Sequence, residues 1–311
     1  MKKKISIIIP FFNEKENIPI ILSELELVII KLKESYDFEI LLMDNGSNDG
    51  SSDIAKKELN KFPNSKYFKM SRNFGYQANI KAGYDLCTGD AAVVLDSDGE
   101  DDPNLIINFL QSWKEGFDVV YGIRKKRQES KAMSFIRNIF YSFLEKFSEL
   151  KLPRGAGDFR LIDRKVINQI KQVEEKNLYL RGLISFIGYK QKGIEYDRRK
   201  RFKGNSKISI LKYFDISFSA ITSFTKTPLI LIFIIGIIIL LFSVFLMIFY
   251  LILFLTGKVG SPGFTTIILV QLFFFGLFTL MLGIISIYVG YVLDEVKKRP
   301  TYIIENEKKD N

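Results

Sequence analysis

The 311-residue sequence contains no histidine, only one cysteine and only one tryptophan. Without histidine, the chain lacks the side chain that most often serves as a general base, a metal ligand or a switch near neutral pH. The single cysteine, Cys87, excludes an internal disulfide framework and is typical of a reducing cytosol. Mechanisms that depend on a histidine side chain or on a disulfide within the chain are therefore excluded.

The charge is basic, with 45 Lys and Arg against 35 Asp and Glu, a net charge of +10. A nucleic-acid partner would suit this charge, but the basic clusters adjoin long apolar runs and form no nucleic-acid motif, so we expect no nucleic-acid binding. The apolar runs, 229–255 and 264–292, each exceed the roughly 20 residues that cross a bilayer. Lys226 and the basic residues 297–299 flank the pair, whereas the turn has one lysine. The sequence predicts a transmembrane hairpin with both flanks in the cytoplasm.

Short apolar segments alternate with helical patterns over the first 125 residues. Strands are predicted at 5–9, 38–43, 67–70, 91–95 and 118–122. Helices are predicted at 17–33, 51–59, 77–87 and 104–115. This alternation predicts an α/β fold, a mainly parallel sheet with helices on both faces. Beyond it, a glycine-marked loop is expected at 155–160.

The most informative motif is Asp96-Ser97-Asp98, which follows the predicted strand 91–95. Two carboxylates one residue apart at a strand end can be turned toward one ion, and oxygen ligands suit Mg²⁺ or Mn²⁺. A solvated acidic turn that caps the next helix is the alternative, and it would usually be right for an isolated motif. Asn13, Glu14 and Asp44 also lie at predicted strand ends, where α/β sheets bind ligands. The coincidence favours a functional site.

Basic and amphipathic segments follow the last predicted strand. The basic residues 124–127 precede an amphipathic segment at 134–147, and a second basic region spans 190–212. An amphipathic stretch beside a transmembrane helix favours anionic lipid headgroups, so membrane lipids are expected partners. The predicted organisation is a cytoplasmic catalytic domain, a juxtamembrane amphipathic segment, the hairpin and a cytoplasmic tail, at 1–212, 213–228, 229–292 and 293–311.

Taken in order, the motifs resemble family-2 inverting glycosyltransferases with a GT-A domain. Within that family they are similar to the polyprenyl-phosphate glycosyltransferases, which include bactoprenol glucosyltransferases and dolichol-phosphate mannose synthases. The resemblance covers nearly the whole chain, and the two-span end is most like the bactoprenol branch. The motifs that carry it are Pro10–Glu14, Asp44–Ser47, Ser71–Gly75, Asp96–Asp98, Gly157–Leu161, Arg181–Leu183, Arg201–Lys207 and Asp294–Pro300.

The resemblance implies transfer of one sugar from a nucleotide sugar to undecaprenyl phosphate, on the cytoplasmic leaflet of the cell membrane. A UDP-linked, glucose-like donor is favoured. The implied nucleotide-binding residues are Pro10, Asn13, Glu14, Asp44 and Asp96. A divalent cation, Mg²⁺ or Mn²⁺, would be bound by Asp96, Asp98 and Glu100. It would stabilise the charge on the leaving nucleotide.

The resemblance also implies catalytic roles for Asp96, Asp98 and Asp158. A phosphate monoester is largely dianionic at neutral pH, because its second pKa lies near 6, so a strong base is unnecessary. Asp158 would then orient the acceptor, an arginine or the sugar. Arginine matches phosphate in geometry and keeps its charge. The candidates to bind the acceptor phosphate are Arg124, Arg137, Arg198 and Arg201.

Three departures from the family pattern leave the donor open: Asn45 replaces an acid, Glu100 replaces a glutamine, and Tyr76 stands where relatives often have histidine. A processive polysaccharide synthase is one alternative, but Trp113 lacks the Q-x-x-R-W context. A non-catalytic nucleotide-binding scaffold is another alternative. Such a protein is expected to have lost the metal-binding acids, whereas this chain retains them. A small-residue stripe in the second span, at positions 276, 279, 283, 286 and 290, lets another helix approach closely and is compatible with a homo-oligomer. Scattered glycines that a membrane helix tolerates are the alternative.

Overall fold

The computed structural model describes residues 2–125, 155–176, 178–203, 227–256 and 263–308. The chain divides into two compact units, Met1–Ala220 with Arg299–Asn311, and Ile221–Lys298. Arg137, the amphipathic segment 134–147 and most of the juxtamembrane segment 213–228 lie outside the described residues. The predicted domain boundaries stay predictions.

One eight-stranded sheet forms the centre of the first unit, in the order β7-β5-β6-β4-β1-β2-β3-β8. The strands are β1 (Lys3–Phe11), β2 (Tyr36–Asp44), β3 (Ser65–Met70), β4 (Ala91–Val94), β5 (Val119–Arg124), β6 (Ala156–Asp163), β7 (Gln191–Tyr196) and β8 (Ile304–Lys308). Its described helices are α1 (Ile18–Leu32), α2 (Ser51–Leu59), α3 (Tyr76–Leu86), α4 (Leu105–Lys114), α5 (Arg164–Gln172) and α6 (Leu180–Ile187).

The middle of the sheet is parallel, as predicted. Strands β3, β2, β1 and β4 pair in parallel, and Ile8 of β1 lies opposite both Leu41 and Val94. β1 is buried from Ile5 to Phe11, because helices cover both faces. On one face Ile8 contacts α3 at Gly83, where a Cβ would come within 2.3 Å of the Ile8 Cγ2. The prediction of an α/β fold is confirmed.

The other half of the sheet is mixed. β6 runs antiparallel between β4 and β5, and β5 pairs in parallel with β7. The prediction of a loop at 155–160 is therefore wrong, since most of this segment forms β6. Phe159 and Leu161 belong to the apolar core on one face of the sheet. Asp158 and Arg160 alternate with them and point to the other face. Glycine content suggested a loop, whereas pairing with two distant strands makes the segment a central strand.

Strand direction brings the predicted site residues to one edge of the sheet, which we call the upper edge. β1, β2, β4, β5 and β7 all end there, and β6 begins there. The upper edge therefore gathers the loop after β1, the turn after β2, the acidic loop after β4, Arg124 at the end of β5 and Asp158 near the start of β6. Ligands of such sheets bind at this edge.

The C-terminal residues contribute β8, which was not predicted. β8 pairs antiparallel with β3, with Met70 opposite Ile304. Just before the strand, the Ile303 carbonyl accepts a hydrogen bond from the Ser71 amide at 3.0 Å. The Tyr302 hydroxyl donates to Asp85 of α3 at 3.0 Å. The segment after the second apolar run is thus an integral part of the sheet.

The second unit contains helices α7 (Thr227–Leu255) and α8 (Phe264–Val296). Both are long and apolar enough to cross a membrane. Large apolar side chains are exposed along them, such as Phe233 on α7 and Phe273 on α8. The prediction of two long apolar helices near the C-terminus is confirmed.

Candidate active site

The loop after β1 is fastened to the turn after β2. Asn13 has a φ of +57°, a left-handed conformation that asparagine tolerates better than most residues. Its amide donates to the Ser47 hydroxyl at 3.0 Å, and its Oδ1 accepts from the Asn48 amide at 2.9 Å. The Glu14 amide donates to the Ser51 hydroxyl at 2.8 Å. Asn13 and Glu14 therefore have a fixed backbone at the upper edge.

The Asp44 carboxylate stabilises this turn through hydrogen bonds. Its carboxylate accepts hydrogen bonds from the Ser47 amide at 2.8 Å, the Tyr67 hydroxyl at 2.7 Å and the Ser52 hydroxyl. The residue is completely buried. Both carboxylate oxygens of Asp44 are therefore already hydrogen-bonded to protein groups. A direct bond from Asp44 to a ribose or base stays a prediction.

Asn45 shows why an amide replaces the second acid of the family pattern. Its Nδ2 donates to the Asn73 Oδ1 at 3.1 Å, while its Oδ1 accepts from the Phe74 amide at 2.9 Å. A carboxylate could accept the second bond but could not donate the first. The neighbouring Gly46 has a φ of +79°, and a Cβ there would lie 2.8 Å from the Arg72 carbonyl carbon. The turn after β2 and the 71–75 segment thus close tightly on each other.

The acidic loop after β4 carries crowded carboxylates that are largely shielded from solvent. Burial, reinforced by the negative charges of Asp101 and Asp98, raises the pKa of Asp96 to about 7. The Tyr76 hydroxyl donates to its Oδ1. Burial also raises the pKa of Asp98, whose Oδ1 accepts from the Glu100 amide at 3.1 Å. A cation bound here would relieve the repulsion.

The donor set fits a divalent cation only in part. Among the described residues, no three acidic, histidine or cysteine side chains are arranged to hold a metal ion by themselves. Glu100, predicted as a third ligand, instead forms an ion pair with Arg198. Asp96 and Asp98 remain, and Mg²⁺ commonly binds one or two carboxylates together with waters and substrate phosphates. The loop therefore suits a hard cation that arrives with a diphosphate.

A basic strap, residues 197–203, leaves the end of β7 and runs along the acidic loop. The Arg199 amide donates to the Glu100 carbonyl at 2.9 Å, and the Phe202 amide donates to the Asp98 carbonyl at 3.1 Å. The Phe202 ring covers Gly99, where a Cβ would lie 1.9 Å from a ring carbon. The strap is therefore fitted to a glycine in the loop.

Ion pairs join the strap to the acids beneath it. Arg198 pairs with Glu100, and Arg201 pairs with Glu14. The Arg201 Nη1 also lies 3.5 Å from the Asp98 Oδ2. The structure thus brings two of the predicted acceptor arginines, Arg198 and Arg201, to the same edge as the predicted donor site.

Asp101 anchors this arrangement and was not predicted to have a role of its own. It is fully buried, accepts a hydrogen bond from the Tyr196 hydroxyl, and lies 3.5 Å from the Nη2 of Arg124. Arg124 also donates to the Tyr196 hydroxyl at 3.3 Å. In the sequence, Asp101 is marked only as part of the acidic run 100–102, and that run does not show which of its acids is buried. Asp101 holds the third described acceptor candidate, Arg124, at the upper edge.

Asp158 forms a two-pronged ion pair with Arg181 of α6. The Nε of Arg181 donates to Oδ1 at 3.0 Å, and Nη2 donates to Oδ2 at 2.8 Å. Burial alone would raise the pKa of Asp158, but the Arg181 charge and its hydrogen bonds outweigh burial and hold that pKa below its ordinary value. The sequence motif 181–183 marked Arg181 without giving it a role.

Comparisons with known proteins show what the chain is similar to. Residues 6–171 match the family model described as glycosyl transferase family 2. An uncharacterized glycosyltransferase of Bacillus subtilis, YkcC, is 38% identical over 306 residues, which cover 96% of this chain and 93% of the relative. A prophage bactoprenol glucosyl transferase homolog of Escherichia coli is 33% identical over 311 residues, with 98% and 100% covered. The crystal structure of mannosyl-3-phosphoglycerate synthase from Rubrobacter xylanophilus is 16% identical and has a TM-score of 0.47, with 70% of this chain and 71% of that chain covered.

Proposed function

The chain belongs to glycosyl transferase family 2, and on that premise we propose that it transfers a single sugar from a nucleotide sugar to a polyprenyl phosphate. The observation that carries this proposal is the meeting of the acidic loop and the basic strap at the upper edge of the sheet. Carboxylates there suit a cation bound to a diphosphate, and arginines suit a phosphate acceptor. The full-length similarity to a bactoprenol glucosyl transferase homolog supports the choice of lipid.

The donor is proposed to be a UDP-linked, glucose-like sugar. The proposed contacts with the nucleotide come from Pro10, Asn13, Glu14, Asp44 and Asp96. Asp96 and Asp98, with Glu100 nearby, would hold Mg²⁺ or Mn²⁺ against the diphosphate. When bound, the cation would neutralise charge that develops on the leaving group.

The reaction is proposed to be an inverting displacement. An oxygen of the acceptor phosphate attacks the anomeric carbon of the sugar from the face opposite the diphosphate. A new carbon–oxygen bond forms while the bond to the diphosphate oxygen breaks, and the electron pair leaves with the nucleoside diphosphate. The phosphate is already largely dianionic near pH 7, so the step needs no strong base. Arg124, Arg198 and Arg201 are proposed to bind this phosphate.

A lipid acceptor implies a position at the membrane. We propose that α7 and α8 form a hairpin in the cell membrane, with the catalytic unit and both termini in the cytoplasm. The support is the flanking charge, with Lys226 before the first span and basic residues at 297–299 after the second. Reporter fusions at residue 311 and within 258–263 test this topology. An extracellular C-terminus would refute it.

The activity test uses the full chain in detergent with undecaprenyl phosphate, Mn²⁺ and a panel of UDP- and GDP-sugars. Mass spectrometry should find the lipid phosphate extended by one sugar. Asp98→Asn should abolish this product, because a ligand to the diphosphate-bound cation is lost. Asp37→Asn, an exposed acid at the start of β2 and so at the opposite edge, is the matched control and should keep full activity.

Other results of this experiment would contradict the proposed mechanism or favour one of the alternative functions. Wild-type turnover by Asp98→Asn, or activity in excess chelator, would contradict the metal-dependent mechanism. A polymeric product would indicate a processive synthase, and nucleotide binding without any transfer would indicate a non-catalytic scaffold.

A further inference from the structure

Arg181 and Asp158 form a second charged centre at the upper edge, apart from the basic strap. We propose that Arg181 binds the phosphate of the acceptor and that Asp158 is a positioning residue that fixes its guanidinium. The inference rests on the proposed function and adds to the proposed phosphate site a residue outside the strap. It also assigns Asp158 a role other than that of a base.

The strand register places this pair beside the acidic motif. β4 and β6 are antiparallel, with Val94 opposite Arg160. Asp96 lies two residues past the end of β4, and Asp158 lies two residues before Arg160 in β6, so both lie just beyond this pair toward the upper edge. In the sheet, β6 lies on the side of β4 away from β1 and β2, whose ends carry the predicted nucleotide loops. Burial raises the pKa of the Tyr76 hydroxyl, which donates to Asp96, and the charges of Asp96, Asp158 and Arg181 also act on that pKa. Arg181 therefore lies near Asp96, on the side where an acceptor would approach a sugar held by its diphosphate.

Exposure within the pair favours the arginine as the group that meets a ligand. The Arg181 side chain is 29% exposed, whereas the Asp158 side chain is 7% exposed. Both Asp158 oxygens accept from the guanidinium, and the pKa of Asp158 is held below its ordinary value. A carboxylate in this state is a weak proton acceptor. A ligand that enters the site meets the cation first, and a guanidinium matches phosphate in charge and geometry.

The surroundings of Arg181 keep it in place before a ligand arrives. The Leu180 amide, beside it at the start of α6, donates to the Gln77 Oε1 of α3 at 3.0 Å. Leu180, Leu183 and Ile184 are buried and fix the helix. Within β6, the buried Arg160 donates to the carbonyl of Gly157, the residue before Asp158, at 2.6 Å. Prior fixation lowers the entropy lost on binding, so it strengthens a phosphate contact.

The experiment compares the wild type with Arg181→Gln, Arg181→Lys and Asp158→Asn in the full chain. It measures kcat and the KM for undecaprenyl phosphate, UDP affinity by calorimetry with Mn²⁺, and Tm. Arg181→Gln should raise the acceptor KM by about tenfold to a hundredfold, the value of a charge-assisted bond, and leave UDP affinity unchanged. Arg181→Lys should recover part of the loss. Asp158→Asn should raise the acceptor KM less than Arg181→Gln does, because Arg181 remains but is no longer fixed.

Arg164→Gln is the matched control. Arg164 is also partly buried, and its Nε donates to the Gly89 carbonyl at 2.7 Å, at the opposite edge of the sheet. Its loss should lower Tm without changing the acceptor KM. A fall in Tm with an unchanged acceptor KM in Arg181→Gln would make the pair a structural link and overturn the inference.

Two further outcomes would also overturn it. Loss of UDP affinity in Arg181→Gln would place Arg181 in the donor site. Loss of kcat at unchanged KM in Asp158→Asn would make Asp158 a base. A wild-type enzyme that glycosylates no polyprenyl phosphate would refute the proposed function itself, whereas these variant results leave that function standing.

Discussion

The Arg201 guanidinium donates to the Glu14 carboxylate and so joins the basic strap to the loop after β1. The two residues are 187 positions apart in the sequence. Both side chains are largely shielded, with 17% and 12% exposed. Arg201 was predicted to bind the acceptor, yet its ion pairs are with Glu14 and Asp98, which are predicted to serve the donor. It therefore links the two proposed halves of the site.

A double-mutant cycle should show this link as a coupling energy. Glu14→Gln and Arg201→Gln should each raise the KM for the nucleotide sugar, because each leaves a shielded charge without its partner. Arg201→Gln should also raise the KM for the lipid phosphate, which Arg201 is proposed to bind. The double variant should lose less than the sum, by about 1 kcal/mol or more. Steady-state kinetics with both substrates measure the cycle. The half-exposed pair of Lys192 and Glu115, 2.7 Å apart, is the control and should show near-additive effects. Additive losses at Glu14 and Arg201 would show that the ion pair does not couple the two halves.

Local patterning was sufficient to predict the parallel half of the fold. β1, β2 and β4 are short branched runs buried on both faces, and the helices between them have clear apolar periodicity. The position of Asp96 at the upper edge follows from that pattern alone. β6 and β8 could not be predicted in this way, because their pairing with β4 and β3 is long-range. The same holds for the burial of Asp101, which depends on Tyr196 and Arg124 arriving from distant strands.

Gly99→Ala should disrupt the strap, and Gly116→Ala supplies the control. Both glycines have positive φ, +76° and +93°, so alanine should cost each about 1 kcal/mol of backbone strain. Only at Gly99 would the new Cβ collide with the Phe202 ring, 1.9 Å away, since nothing lies within 4 Å of the Cβ position at Gly116. We expect similar losses in Tm but a fall in kcat/KM of about a hundredfold for Gly99→Ala alone. Equal kinetics in the two variants would show that the seating of Phe202 does not matter for activity.

The buried carboxylate of Glu39 should make stability depend on pH in acid. Burial would raise its pKa, but hydrogen bonds from Lys4, Ser6 and Thr88 outweigh burial and hold that pKa at about 2, against an ordinary 4.5. A lowered pKa stabilises the fold fully above pH 4.5 and progressively less as the pH falls toward 2. Glu39→Gln should therefore cost about 3 kcal/mol at neutral pH, and the gap to wild type should narrow below pH 4.5.

Chemical unfolding of the full chain in detergent over a pH series measures the effect of Glu39→Gln. Glu115→Gln, which removes one partner of the half-exposed pair with Lys192, should change little at any pH. A Glu39→Gln curve parallel to wild type through the acid range would show that Glu39 is not the group responsible.

The C-terminal strand β8 should contribute to both stability and donor binding. Two truncations test this, because one removes β8 and the other removes only the residues after it. A chain that stops after Pro300 loses β8 and the Tyr302 bond to Asp85, and it leaves β3 as an open edge. We expect a loss of about 2–3 kcal/mol from these hydrogen bonds. We also expect a higher KM for the nucleotide sugar, because the Ser71 amide loses its acceptor and the following residues close on Gly46. A chain that stops after Lys308 keeps the strand and should match wild type in Tm and kinetics. If both truncations matched wild type, β8 would be dispensable, and the 71–75 segment would be fixed by Asn45 and Gly46 alone.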